Sequence, residues 1–275
     1  MRIRLNHVTQ YRYETPAKSV IQLLRLTPRS HEGQHVARWR VEIDADAKLH
    51  KGEDALGNCT HMAFVPGPVS QLSVAVTGEV EAWDTHGVVR GAVERFPPEV
   101  FLRDTDLTRT DADLRAFAQD VAGEGKGDDL VRMHALMTAI NTDIVFDTAP
   151  TDSATTAAEA FALKRGVCQD FSHVFIAAAR SLGFPARYVS GHLAREDGVV
   201  EQEAAHAWAE VYTDPLGWIG FDAANGVCPT GSYIRVAAGL DYLGAAPVRG
   251  SRSGGGQEHM DVKLSVSHAG RQTQA

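Results

Sequence analysis

The sequence predicts an α+β protein, with an N-terminal antiparallel β-sandwich followed by a core in which one helix packs on an antiparallel sheet. Three observations predict it. Up to about residue 90 polar and apolar residues alternate in short runs, in the middle of the chain apolar residues recur at steps of three and four, and beyond Gly183 alternation returns. A period of two and a period near 3.6, kept in separate blocks, mark a β domain joined to a helix-on-sheet core.

The opening strands are read from Arg38-Trp39-Arg40-Val41-Glu42-Ile43-Asp44 and from Leu72, Val74 and Val76, each burying one face and wetting the other. Turn clusters at Gly57-Asn58 and Pro66-Gly67-Pro68 separate such runs. Arg25, Arg29, Arg38 and Arg40 are interleaved with acidic residues, so they read as solvated strand faces rather than an anion patch. Phe96-Pro97-Pro98 and the polar stretch through Asp113 form the passage between domains, which sets the boundaries at 1–95 and 96–245.

Leu130, Met133, Met137, Ile140 and Ile144 predict a helix with one buried stripe. Thr156 and Glu159 form a capping box that opens a second helix over Ala157 to Leu163, with Gly166 ending it. Phe171, Phe175, Ala178 and Leu182 predict a third helix, stopped by Gly183, that opens at Cys168. Pro185 to Leu193 reads as a strand, and Arg195 to Gln202 as a polar loop on the rim of a cleft. The runs His206 to Tyr212 and Trp218 to Asp222 form a hairpin about the turn Asp214-Pro215-Leu216-Gly217. A short element follows around Tyr233 to Tyr242. In the final segment, 246–275, Gly250 to Gly256 reads as a flexible link and Met260, Val262, Leu264 and Val266 as a last strand.

The chemistry concentrates at Cys168. A thiol at a helix start meets unpaired N–H groups and the positive end of the helix dipole, an environment that favours the attacking anion. A base and its orienter are supplied by His206 and Asp222, which the hairpin sets on adjacent strands about 4.8 Å apart. His173, five positions after the cysteine, is rotated away from it on the helix. The Cys168 N–H is the first oxyanion donor, with Gln169 beside it. Glu210 and Trp208, even in step with His206, lie on its face of the strand and are candidates for supporting it. Asp170 suits the first turn of the helix, where a carboxylate meets the dipole.

Four blocks carry a family resemblance: Gly166-Val167-Cys168-Gln169-Asp170-Phe171, Pro185 through Gly191, His206-Ala207-Trp208-Ala209-Glu210-Val211-Tyr212, and Gly217-Trp218-Ile219-Gly220-Phe221-Asp222. In this order they resemble the core of the transglutaminase-like superfamily, whose members set a cysteine at a helix start and the histidine and aspartate on following strands. The opening strands, Asp54 to Asn58 and Tyr233 to Tyr242 resemble its bacterial branch with an N-terminal β domain, usually described as cysteine peptidases. The resemblance implies a papain-like core, a Cys168, His206 and Asp222 triad, and a peptide or protein amide as substrate. It also implies a thioester resolved by water or, in a transglutaminase, by an amine. No cofactor is called for. Crosslinking members add an indole donor upstream of the cysteine, and no tryptophan stands between Trp83 and Cys168.

Composition excludes other classes. The 275 residues are 44% apolar and 23% charged, ordinary for a globular protein, and the net charge of -8 opposes binding to nucleic acid or an anionic membrane. There is no run of about 18 apolar residues and no apolar leader, so a soluble cytoplasmic protein is expected. The histidines are scattered along the chain and the cysteines show no Cys-x-x-Cys knuckle, so no metal is expected. A Gly-x-Ser-x-Gly elbow is also missing. Of the three cysteines, Cys59 and Cys228 read as free thiols that serve packing.

Overall fold

The computed structural model describes residues 1–123 and 127–269. Its N-terminal region holds strands β1 (Arg2–Thr27), β2 (Gln34–Ile43), β3 (Leu49–Glu53) and β4 (Cys59–Ala82), then the short β5 (Val88–Val89). Helices α1 (Ala112–Ala122) and α2 (Asp129–Asp143) follow, then β6 (Val145–Phe146), α3 (Ala157–Leu163), β7 (Arg165–Gly166) and α4 (Cys168–Ser181). Beyond α4 come β8 (Ala186–Leu193), β9 (Glu201–Gln202), β10 (His206–Thr213), β11 (Gly217–Phe221) and β12 (Tyr233–Gly239). Helix α5 (Tyr242–Ala245), β13 (Val248–Gly254) and β14 (Glu258–His268) complete the described elements. The architecture is α+β and mostly antiparallel, as the alternation of periods predicts.

The N-terminal β region is one seven-stranded sheet. Its two halves share hydrogen bonds because β1 and β4 are long enough to run through both. In one half β2 flanks β4 and β14 flanks β1; in the other, β3 flanks β4 and β13 flanks β1. Shifts of register between Arg12 and Ala17 separate the halves, and Tyr11, Tyr13, Val20, Val65 and Leu72 pack into a cluster of their own there. The last strand therefore belongs to the N-terminal sheet. Gly250 to Gly256, expected as a flexible link, lies largely within β13: a β-carbon at Gly250 would sit 2.9 Å from the Ile21 carbonyl, so glycine permits the close pairing.

The core sheet has the order β12-β8-β10-β11-β5, with α4 packed on β8 and β10. Alternation decides the facing: Ala186, Tyr188, Ala207, Ala209 and Val211 join Phe171 and Phe175 in the main apolar core. On the opposite face Trp208, Val189 and Tyr233 form a smaller cluster. The outer edge of β12 is closed by side-chain amides in place of a strand. Gln34 and Asn58 each both donate to and accept from its backbone, at Arg235 and Ala238 respectively, over 2.8 to 2.9 Å.

Three local features depart from the sequence reading. Helix α1 begins where the polar passage ends and runs through a stretch to which no element was assigned: Leu114, Ala118 and Ala122 recur at four-residue steps and are buried, behind an Asp111 cap. Helix α3 has its predicted Thr156–Glu159 capping box, but Lys164, in the left-handed conformation at φ 54°, ends it instead of Gly166. Arg25 is buried and donates to Asp54 over 2.8 Å, where a solvated arginine was expected. The passage from Pro98 to Thr108 contains two 3₁₀ turns fixed by buried Arg180, which donates to the Phe101 and Leu240 carbonyls and to the Thr108 hydroxyl.

Candidate active site

Cys168 is the first residue of α4, following Val167 in extended conformation. The Asp170 carboxylate accepts the Val167 N–H over 2.8 Å and the Thr151 hydroxyl over 2.7 Å, which fixes the helix start in position. Gly166 makes room for it, since a β-carbon there would stand 2.5 Å from the Asp170 oxygen. Burial pushes the Asp170 carboxyl above its usual range despite these bonds. Among the described residues no protein acceptor takes the N–H of Cys168 or Gln169, so both remain available to an oxyanion.

His206 opens β10, and the hairpin register pairs Ala209 with Phe221, which sets Asp222 one residue beyond the ladder and diagonal to the ring. His206 Nε2 lies 2.6 Å from Asp222 Oδ2, the distance of an imidazole N–H donating to a carboxylate. The two side chains are 13% and 0% exposed. Burial opposes a charge on the ring, but the buried Asp222 carboxylate, with the Cys168 side chain as a second partner, outweighs it and pushes His206 up to about 10. Since Nε2 is taken by Asp222, the other ring nitrogen is left for the sulfur. Asp222 is held below the usual carboxylate range: burial would raise it, but the His206 charge and several donors prevail.

Two of those donors were not singled out as site residues in the sequence. The Tyr233 hydroxyl and the Asn225 amide each donate to Asp222 Oδ2 over 2.7 Å. Asn225 also gives its own N–H to Oδ1 over 3.2 Å, within a turn closed by mutual backbone bonds between Asp222 and Val227. The Asp222-x-x-Asn225-Gly226 spacing is a side-chain-stabilised turn and was the available signal for Asn225. Tyr233 arrives from the neighbouring part of the core sheet, and nothing local to its sequence announces the contact.

The other candidates divide. Trp208 packs its ring 6.3 Å from His206 and 5.4 Å, edge-on, from Tyr233, so it walls the imidazole. Gln169 sits half-buried in the first turn of α4 with no side-chain partner among the described residues. Glu210 supports the sheet and does not bond to the row: fully buried, it accepts from Arg187 Nε and Arg235 Nε over 2.7 Å. The face was read correctly, but four residues of extended strand carry Glu210 about 13 Å along from His206. His173 is buried, accepts the Tyr242 N–H at Nε2 and is pushed down to about 4 by burial, so it is a neutral packing residue. Cys228 packs against Gly87, and burial raises its thiol to about 11.

Among the described residues no group of three or more His, Cys, Asp or Glu side chains converges as a metal site. No helix among them is long and apolar enough to cross a membrane.

Residues 115–223 match the model of the transglutaminase-like superfamily, and residues 3–81 that of the bacterial transglutaminase-like N-terminal region. The chain is 31% identical to the uncharacterized protein ML0607 of Mycobacterium leprae, covering 97% of this chain and 98% of that one. It is 29% identical to the uncharacterized protein Rv2569c of Mycobacterium tuberculosis, covering 90% and 87%. Among solved structures, a candidate cysteine protease from Cytophaga hutchinsonii shares the fold with a TM-score of 0.78 at 20% identity, over 98% of this chain and 92% of that one. The matches to both family models, and to a relative along almost the whole chain, identify it as a member of the transglutaminase-like superfamily with the bacterial N-terminal region.

Proposed function

We propose that this chain is a cysteine-dependent acyl-transfer enzyme that hydrolyses an amide bond of a peptide or protein. The observation that carries the reading is the 2.6 Å contact between His206 and the buried Asp222, with the Cys168 side chain as a second partner of the ring. The Cys168 sulfur, its proton taken by His206, attacks the carbonyl carbon; the tetrahedral oxygen is received by the N–H groups at the start of α4. His206 returns the proton to the leaving amine as the C–N bond breaks, and a thioester remains. Water, deprotonated by His206, then attacks the thioester, releasing the acid and restoring the thiol. Asp222 holds the ring in one orientation and stabilises its charged form. An amine acceptor would use the same thioester, but the missing upstream indole favours water.

Iodoacetamide near pH 6 should label Cys168 well before Cys59, which is buried, and Cys228, whose thiol is raised by burial. Equal, slow labelling of all three thiols would instead favour a protein that kept the fold without the chemistry. Mass spectrometry of an acyl adduct trapped on Cys168 from cell extract would give the mass of the acyl donor.

Tyr233→Phe tests the carboxylate. Losing one donor to a buried anion should raise Asp222 back toward the usual carboxylate range. A depressed carboxylate supports its partner above its own titration and fails as pH falls through it, so the acid limb of the Cys168 alkylation profile should move to higher pH. An unmoved limb would show that the hydroxyl does not tune the row.

A further inference from the structure

Beside the nucleophile, the short β6 pairs in parallel with β7, and Phe146 stands opposite Gly166, two residues before Cys168. Neighbouring strands are about 4.8 Å apart and two further residues span at most about 7 Å, so the Phe146 backbone lies within about 12 Å of the cysteine. Its ring lies 6.4 Å from that of Phe171, in the first turn of the nucleophile's own helix. In a strand, consecutive side chains point to opposite faces and one usually finds cover. Here Val145 and Phe146 are 58% and 57% exposed, and Leu163, just before the β7 pairing, is 50% exposed.

The segment is held firmly. The Asp147 N–H donates to the Gly166 carbonyl over 2.8 Å, the Val145 N–H to the Lys164 carbonyl over 2.9 Å, and Thr151 binds Asp170 at the helix start. The charges on this rim are already matched within it: Arg165 with Asp147 over 2.9 Å and Lys164 with Asp143 over 3.5 Å. What the rim offers a substrate is therefore apolar surface, fixed in place beside the strand that leads into the nucleophile's helix.

We propose that Phe146 forms the apolar wall of the acyl-donor subsite, and that the substrates are peptide amides carrying a bulky apolar side chain within two residues on the acyl side of the scissile bond. This rests on Cys168 being the nucleophile. A residue of extended peptide covers about 3.3 Å, so a side chain one or two residues from a carbonyl held at the sulfur reaches the wall. Burying an aromatic ring against it strengthens binding enough for about a tenfold gain in rate.

The test uses three chloromethyl ketones on the full chain: acetyl-Gly-Gly, acetyl-Phe-Gly and acetyl-Gly-Phe. In each, the Cys168 sulfur displaces chloride and forms a thioether. At least one aromatic probe should inactivate the wild type about tenfold faster than acetyl-Gly-Gly. Phe146→Ala should erase that ratio, Phe146→Leu should keep part of it, and alkylation by iodoacetamide, too small to reach the wall, should hold its rate in both. No aromatic preference in the wild type, or a preference that survives Phe146→Ala, would overturn the subsite. Failure of iodoacetamide to single out Cys168 would overturn the nucleophile itself, which is a separate result.

Discussion

Cys168→Ala should abolish turnover, by a factor on the order of 10⁴ to 10⁶ in kcat, while the protein unfolds at an unchanged temperature. The nucleophile has no substitute within reach: His173 is neutral and engaged with the Tyr242 backbone, and Cys228 packs against Gly87 with its thiol raised by burial. Stability is preserved because Cys168 is only half-buried and alanine is the best helix former at the start of α4. Loss of activity with loss of fold would leave the result a structural one, so a thermal melt belongs beside the assay. Turnover that persists in a folded Cys168→Ala protein would remove the thiol from the mechanism.

The second large effect is on stability. Glu210→Ala should destabilise the fold by about 3–5 kcal/mol, measured as a fall in the midpoint of urea unfolding at pH 7. Glu210 of β10 joins Arg187 of the adjacent β8 and, across β8, Arg235 of β12; Arg187 also reaches Glu94 and lies 3.8 Å over the Trp218 ring. Truncation leaves two guanidinium groups facing one another in a buried seam. Burial would raise the Glu210 carboxyl, but the two arginines hold it down at about 2. Because its pKa is depressed in the folded state, its contribution is present above the unfolded value near 4.5 and is lost as pH falls toward about 2. A loss under about 1 kcal/mol would mean that the arginines turn to solvent without penalty.

The parts of the site that depend on local periodicity were legible in the sequence. Steps of four and three fixed α4 and put Cys168 at its start, and alternation about Asp214-Pro215-Leu216-Gly217 gave the hairpin that brings His206 and Asp222 together. What joins distant segments was not legible. Tyr233 meets Asp222 from another strand, and Glu210 finds its arginines 23 and 25 positions away, through strand order that no single stretch encodes. Helix α1 was passed over because its buried stripe is mostly alanine, which carries little apolar contrast. The glycines of β13 hide a strand because pairing with β1, and not side-chain propensity, makes them one.

Strand β14 sits between β1 and β9, pairing Tyr13 with Glu258 and Ile3 with His268 on one side and Leu264 with Gln202 on the other. Strand β1 and the stretch just before His206 thus share a partner that leaves the ribosome well after both. Such distant pairing raises the entropy lost in closing the chain and slows folding. During synthesis the sulfur, ring and carboxylate emerge well before the strand that anchors their approach, so this sheet can be completed only after nearly all of its own sequence has been made.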